Sequence, residues 1–237
     1  MDTELGILEN LLRAQWLRLR DWVDERELAT SDAPSVLDGW TVADLVAHLG
    51  LAMGTLTRAE PAPPDAVPAT LAELVAGYPG RADEIVETTR AGAREIAGDP
   101  LPAVERMAEA AFARLDELRG PGGDPVVLTR RGALRLSTLV QARLLELVVH
   151  GDDLVRSTGD VPGGGPLEPG AVTVVAEALR DVLVERGGPD LEVADPLAWL
   201  RVACGRVPAD AEAVRAALQP RHTADGLPEI ASYLPLL

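Results

Sequence analysis

The run Leu144-Leu145-Glu146-Leu147-Val148-Val149-His150 places one carboxylate and one imidazole in a stretch that is otherwise aliphatic. Such a run, apolar all the way round, reads as a helix buried on most of its sides. A carboxylate there is costly to bury unless it is paired or binds a metal. Glu146 and His150 are four apart, so they share one helical face, with Cβ atoms about 5–6 Å apart. That spacing suits two ligands of a single ion. A hydrogen-bonded Glu–His couple with no ion fits the same pattern.

Working outward, this helix is expected to begin near Ser137 or Thr138 and to run to about Ser157. Ahead of it, Val126–Leu136 reads as extended, with a turn at Arg131-Gly132. The break Gly120-Pro121-Gly122-Gly123-Asp124-Pro125 precedes that. Near the N-terminus, Leu5, Leu8, Leu12, Trp16, Leu19 and Val23 recur at steps of three and four, which predicts a first helix over about Thr3 to Glu27. A second starts at Thr41, where Thr41 and Asp44 make a capping pattern, and buries Leu45, Leu49, Ala52 and Leu56. Two or three more helices are expected within Ala69–Ala97 and Leu101–Arg119. The glycine-rich segment Gly159–Gly170 is the linker candidate. Beyond it the sequence predicts a helix over Ala171–Arg186, a short stretch Leu191–Val193, and helices within Asp195–Arg206 and Ala209–Leu218.

The second helix holds His48 in the apolar turn Leu45-Val46-Ala47-His48-Leu49. The chain has three histidines, His48, His150 and His222. Two antiparallel helices can bring His48 beside Glu146 and His150, and a two-His, one-Glu set leaves a coordination position open, as catalytic zinc sites do. A histidine in an apolar turn is also commonly a hydrogen-bonded core residue, so the pattern alone leaves both readings open. Asp44, one turn before His48, and Asp153, three after His150, are placed to hold a ligating imidazole in one tautomer. For Asp44 helix capping serves equally well. His222, in a polar tail segment, is not expected to be a ligand.

Composition bounds the rest. The 237 residues are 47% apolar but only 3% aromatic, so the core must be aliphatic, and Leu, Ala, Arg and Glu favour helix. A formal net charge of −16 argues against nucleic acid and anionic lipid as partners. The chain has no lysine, which excludes Schiff-base and P-loop chemistry. Its one cysteine, Cys204, excludes an intramolecular disulfide and a cysteine-rich metal site. Asp2, Glu4 and Glu9 are unlike a signal peptide, and no apolar run has the length of a membrane span, so a cytoplasmic protein is expected.

Gly39-Trp40-Thr41-Val42-Ala43-Asp44-Leu45-Val46-Ala47-His48-Leu49 resembles one signature of the mycothiol-dependent maleylpyruvate isomerase family. Glu146-Leu147-Val148-Val149-His150-Gly151-Asp152-Asp153-Leu154 resembles a second. The family is a branch of the DinB/YfiT-like metal-binding four-helix bundles. The resemblance implies His48, Glu146 and His150 as metal ligands and mycothiol as a thiol cofactor used on a small-molecule substrate. The His/Glu ligand set itself points to zinc, while nickel, iron or manganese can occupy similar sites. Where the family carries an aromatic residue after His-Gly, this chain has Asp152. The C-terminal stretches Asp195–Arg206 and Ser232–Leu237 are similar, more loosely, to a sterol-carrier-like domain often fused to such bundles. The expected fold is α+β: a DinB-like bundle over residues 1–158 and a small α/β unit over 171–237. Arg206 and Arg221 are the candidates for pairing with an anionic substrate or the thiol cofactor, solvated surface arginines being the other reading. Cys204 reads as a small buried residue. The function implied is metal-dependent activation of a low-molecular-weight thiol for isomerisation or S-transfer. A metal-stapled binder without catalysis, or a metal-dependent hydrolase, are the alternatives.

Overall fold

Alternating helical and polar segments give the chain a mostly helical α+β fold, seen here in a computed structural model that describes residues 4–120, 123–159, 165–221 and 226–237. His222, Thr3 and the glycines at 163 and 164 lie outside the described residues. In chain order the elements are α1 (Glu4–Glu25), α2 (Val42–Gly54), β1 (Glu60–Pro61), α3 (Leu71–Ala76), α4 (Ala82–Ile96), α5 (Pro100–Leu118), β2 (Val126–Thr129), β3 (Gly132–Arg135), α6 (Leu136–Thr158), α7 (Pro169–Glu185), β4 (Leu191–Val193), α8 (Pro196–Ala203), α9 (Ala211–Ala217) and β5 (Leu218–Pro220). They form two compact units. The first holds Met1–Ala69 and Arg81–Glu168, the second Thr70–Gly80 and Pro169–Leu237.

In the first unit the apolar stripe of α1 is buried along its whole length, from Leu5 to Val23, and packs on α6. Helix α2 lies against α4, α5 and α6. Its contact with α5 is close because Gly50 has no side chain; a Cβ there would stand 2.9 Å from Val104 Cγ2. Helix α2 begins where the sequence places it. Thr41 Oγ1 accepts from the Asp44 N–H, and the Asp44 carboxylate accepts from the Thr41 N–H, a reciprocal cap that satisfies two otherwise free donors.

Helix α6 starts at Leu136 and has no side-chain cap of its own. Asp124, in the preceding loop, supplies it, accepting from the Ser137 N–H at 2.8 Å and the Ser137 hydroxyl at 2.7 Å. The strands before it form an antiparallel sheet of order β1-β2-β3, with Val127 opposite Leu134, both buried. The β2–β3 turn falls on Arg130-Arg131 rather than Arg131-Gly132. Gly132 opens β3 at φ 104°, a backbone conformation that glycine tolerates without strain.

The second unit packs α7 on α3 and α8, and α8 on α9. Strands β4 and β5 pair antiparallel, Val193 opposite Leu218. Trp199 is fully buried and donates from Nε1 to the Ala176 carbonyl at 3.0 Å. Cys204 is buried here, as expected. Among the described residues no helix is long and apolar enough to cross a membrane.

Candidate metal centre

Two helices of the first unit converge on one point. Helix α6 carries Glu146 and His150 on one face, while Leu144, Leu145, Leu147, Val148 and Val149 are buried around them. Helix α2 presents His48 from across the contact. The ligand-capable atoms of these three side chains all lie within 4.8 Å of one another. Glu146 Oε2 is the hub, 3.3 Å from His48 Nε2 and 3.4 Å from His150 Nε2. The imidazole rings stand edge to face, 4.7 Å apart at 87°. All three side chains are 12–15% exposed, so the cluster is reachable but largely shielded from water.

These separations suit an ion. Ligand bonds of about 2.0–2.1 Å at tetrahedral angles put neighbouring donor atoms about 3.3–3.4 Å apart, the spacing seen from Oε2 to each Nε2. They are long, by contrast, for charge-assisted hydrogen bonds, which run at about 2.7–2.9 Å. The far edge of each ring is also held. His150 Nδ1 is 3.0 Å from Asp153 Oδ2, and Asp153 is fully buried. His48 Nδ1 is 3.1 Å from Thr89 Oγ1 on α4. With both Nδ1 atoms engaged, both Nε2 atoms turn towards Glu146, the orientation metal-binding histidines need.

Burial works against charge on each group, and the partners decide the outcome. For His48, burial lowers the pKa, helped by the nearby charges of His150 and Arg143, and outweighs the hydrogen bond to Glu146. For Glu146, burial is overcome by hydrogen bonds from His150 and His48 and by the Arg143 cation, which hold it well below the usual carboxylate range. For His150, burial is overcome by hydrogen bonds to Asp153 and Glu146, which raise it to about 9. At neutral pH these shifts favour an ionised Glu146, a neutral His48 and a protonated His150. An ion held at His150 Nε2 would take the place of that proton.

Asp153 stands where the sequence reading puts it, beside the His150 ring. Asp44 spends its carboxylate on the α2 cap. Three neighbours escaped the sequence reading. Thr89 sits in α4, one of the helices expected within Ala69–Ala97, to which the sequence reading assigned no site residue. Trp40, within the quoted motif, lies edge-on to His48 at 5.2 Å. Arg143, one turn before Glu146 and buried, donates to the Ala52 carbonyl at 3.1 Å. A buried arginine in an aliphatic run was the available signal for the last. Asp152 is buried as well. The two arginines proposed for an anionic partner lie in the second unit. Arg206 donates to the Cys204 carbonyl at 3.1 Å, and Arg221, 42% exposed, pairs with Asp190 at 2.8 Å.

Residues 12–155, more than half of the chain, match the family described as the mycothiol maleylpyruvate isomerase N-terminal domain. The chain belongs to this family. Two solved structures share its fold. A crystal structure of the mycothiol-dependent maleylpyruvate isomerase matches with a TM-score of 0.50 and 18% identity, over 83% of this chain and 80% of that one. A mutant of that isomerase, with one histidine changed to alanine, matches with a TM-score of 0.50 and 17% identity over the same shares. No curated protein gives a match. The matched region includes His48, Glu146 and His150, so this member of the family carries its cluster inside the family domain.

Proposed function

We propose that the protein is a metal-dependent enzyme of the maleylpyruvate isomerase type. In this reading His48, Glu146 and His150 hold one divalent ion, zinc, and mycothiol is the thiol used for isomerisation or S-transfer on a small electrophilic substrate. The observation that carries the reading is the convergence of two imidazoles and one carboxylate from two helices, His48 and Glu146 being 98 residues apart, with Glu146 Oε2 3.3 and 3.4 Å from the two Nε2 atoms. Family membership supports the thiol. A bound divalent ion supplies Lewis acidity that ionises a thiol near neutral pH.

The chain's own groups do the rest. Glu146 balances part of the ionic charge, and Arg143 keeps it ionised. Asp153 and Thr89 fix the two rings. Trp40, edge-on to His48, packs against one side of the cluster. With the ion and thiol bound, addition of the thiolate to the electrophilic carbon of the substrate would break its π bond and leave an enolate. Expulsion of the thiolate after bond rotation would give an isomer, and protonation of the enolate by the proton lost from the thiol would give an S-conjugate. For Arg206 and Arg221 we propose pairing with anionic groups of the thiol or substrate, on the strength of guanidinium–carboxylate geometry. The same reading treats the helices of the first unit as a DinB-like four-helix bundle, supported by the packing of α1 on α6 and of α2 on α5 and α6. It treats the second unit as sterol-carrier-like, supported by its short antiparallel sheet flanked by helices.

Metal analysis of the purified protein tests the proposal. One equivalent of a divalent ion is expected in the parent, and none in His48→Ala, Glu146→Ala or His150→Ala. Full retention of the ion in His150→Ala would place the site elsewhere.

A further inference from the structure

Helix α4 is mostly solvent-exposed; its buried residues are Thr89 and Gly92. Both face α2, one turn apart. Gly92 meets Leu51, where a Cβ would stand 2.8 Å from Leu51 Cδ1, and Thr89 meets His48. The two pairs, His48–Thr89 and Leu51–Gly92, keep the same three-residue step along both helices, so the close approach at Gly92 sets the position of Thr89. Arg90 adds a third tie, donating to the Gly39 carbonyl at 2.7 Å. Thr89 is 1% exposed, and its hydroxyl lies 3.1 Å from His48 Nδ1.

We propose that Thr89 is a positioning residue for His48: its hydroxyl holds the Nδ1 edge so that Nε2 reaches the cluster, and it can do so with or without an ion. The chemistry of the two ring partners differs. Asp153, as a carboxylate, only accepts, so it requires a proton on His150 Nδ1. A hydroxyl both accepts and donates. When an ion occupies Nε2, Nδ1–H donates to Thr89; when Nε2–H points at Glu146, the Thr89 hydroxyl donates to Nδ1. Thr89 thus accommodates either tautomer of His48 without moving the ring.

The inference rests on the metal reading, and its test separates the two. Zinc affinity is measured by competition with a chromophoric chelator in the parent, Thr89→Val, Thr89→Ser and Thr88→Val, with circular dichroism as the folding check. Thr89→Val, which keeps the shape and loses the hydroxyl, is expected to bind zinc about 10–100-fold more weakly. Thr89→Ser and the exposed-site control Thr88→Val are expected to stay near the parent. In zinc-loaded parent, long-range proton–nitrogen spectra should show a slowly exchanging proton on His48 Nδ1, a readout that does not depend on how the variants fold. Parent-like affinity in Thr89→Val, or a rapidly exchanging Nδ1 proton, overturns the role of Thr89. Failure of the parent itself to take up zinc overturns the metal reading instead.

Discussion

Glu146 carries the only negative charge among the three converging side chains, and both imidazoles depend on it. Glu146→Gln keeps the shape and removes the charge. It should weaken zinc binding at least about tenfold, and it should lower the pKa of His150, which falls towards the ordinary histidine range once that hydrogen-bonded anion is gone; chelator competition and proton–nitrogen titration check the two effects. Unchanged zinc affinity would mean that Glu146 is a pairing partner and not a ligand. In the ion-free protein the His150 pKa is raised from 6.5 to about 9. A raised folded-state value means that its stabilising contribution is fully present below about pH 6.5 and is lost as pH rises through about 9. The groups facing the ring are Glu146, Asp153 and His48, with Arg143 and Arg156 behind them. Urea denaturation of ion-free protein should therefore show a fall between pH 6.5 and 9, on the order of 2–3 kcal/mol. The fall should be much smaller in Asp153→Asn. A parent profile flat over that range would contradict a protonated His150. At this scale the sequence was informative where a polar group interrupts an aliphatic turn, as at His48, Glu146 and His150. Asp153 was legible from its three-residue offset within one helix. Thr89 was not, because its contact spans two helices, α2 and α4, and no local spacing encodes it.

Among the elements, α2 places His48, and its N-terminus is fixed by the Thr41–Asp44 cap. Thr41→Ala removes the acceptor for the Asp44 N–H and should cost about 1 kcal/mol, within a range of about 0.5–2, measured by urea denaturation. No loss would show that the backbone bonds from Val42 to Ala33 and from Ala43 to Ser31 suffice to hold the start of the helix. Gly50→Val would drive two methyl groups into Val104 and should destabilise by about 1–3 kcal/mol, or more where α5 cannot yield. Helix cores were legible because the 3.6-residue period is local and strong: the stripe from Leu5 to Val23 and that from Leu45 to Leu56 are buried as read. Ends were less so. Helix α6 starts at Leu136 because Asp124, twelve residues earlier, caps it from a loop, a tie that no short pattern reveals. The hairpin turn fell on two arginines because Gly132 was needed for the positive φ at the start of β3, not inside the turn.

For the whole molecule, an ion that binds the folded chain and not the unfolded one stabilises it by mass action, by about 2.7 kcal/mol at a free concentration 100 times Kd. Thermal unfolding should shift upward with added zinc in the parent and not in His48→Ala; an equal shift in both would point to adventitious binding at the acidic surface, whose formal net charge is −16. The central claim joins that ion to a thiol. Its most direct test is the absorption spectrum of cobalt-substituted protein during titration with mycothiol. The His–Glu–His set has no sulfur, so the cobalt form should show no thiolate charge-transfer band before mycothiol is added. Saturating mycothiol should create the band and release about one proton per chain, because a thiol must ionise to bind the ion. Stoichiometric cobalt with neither band nor proton release at saturating mycothiol would contradict the account.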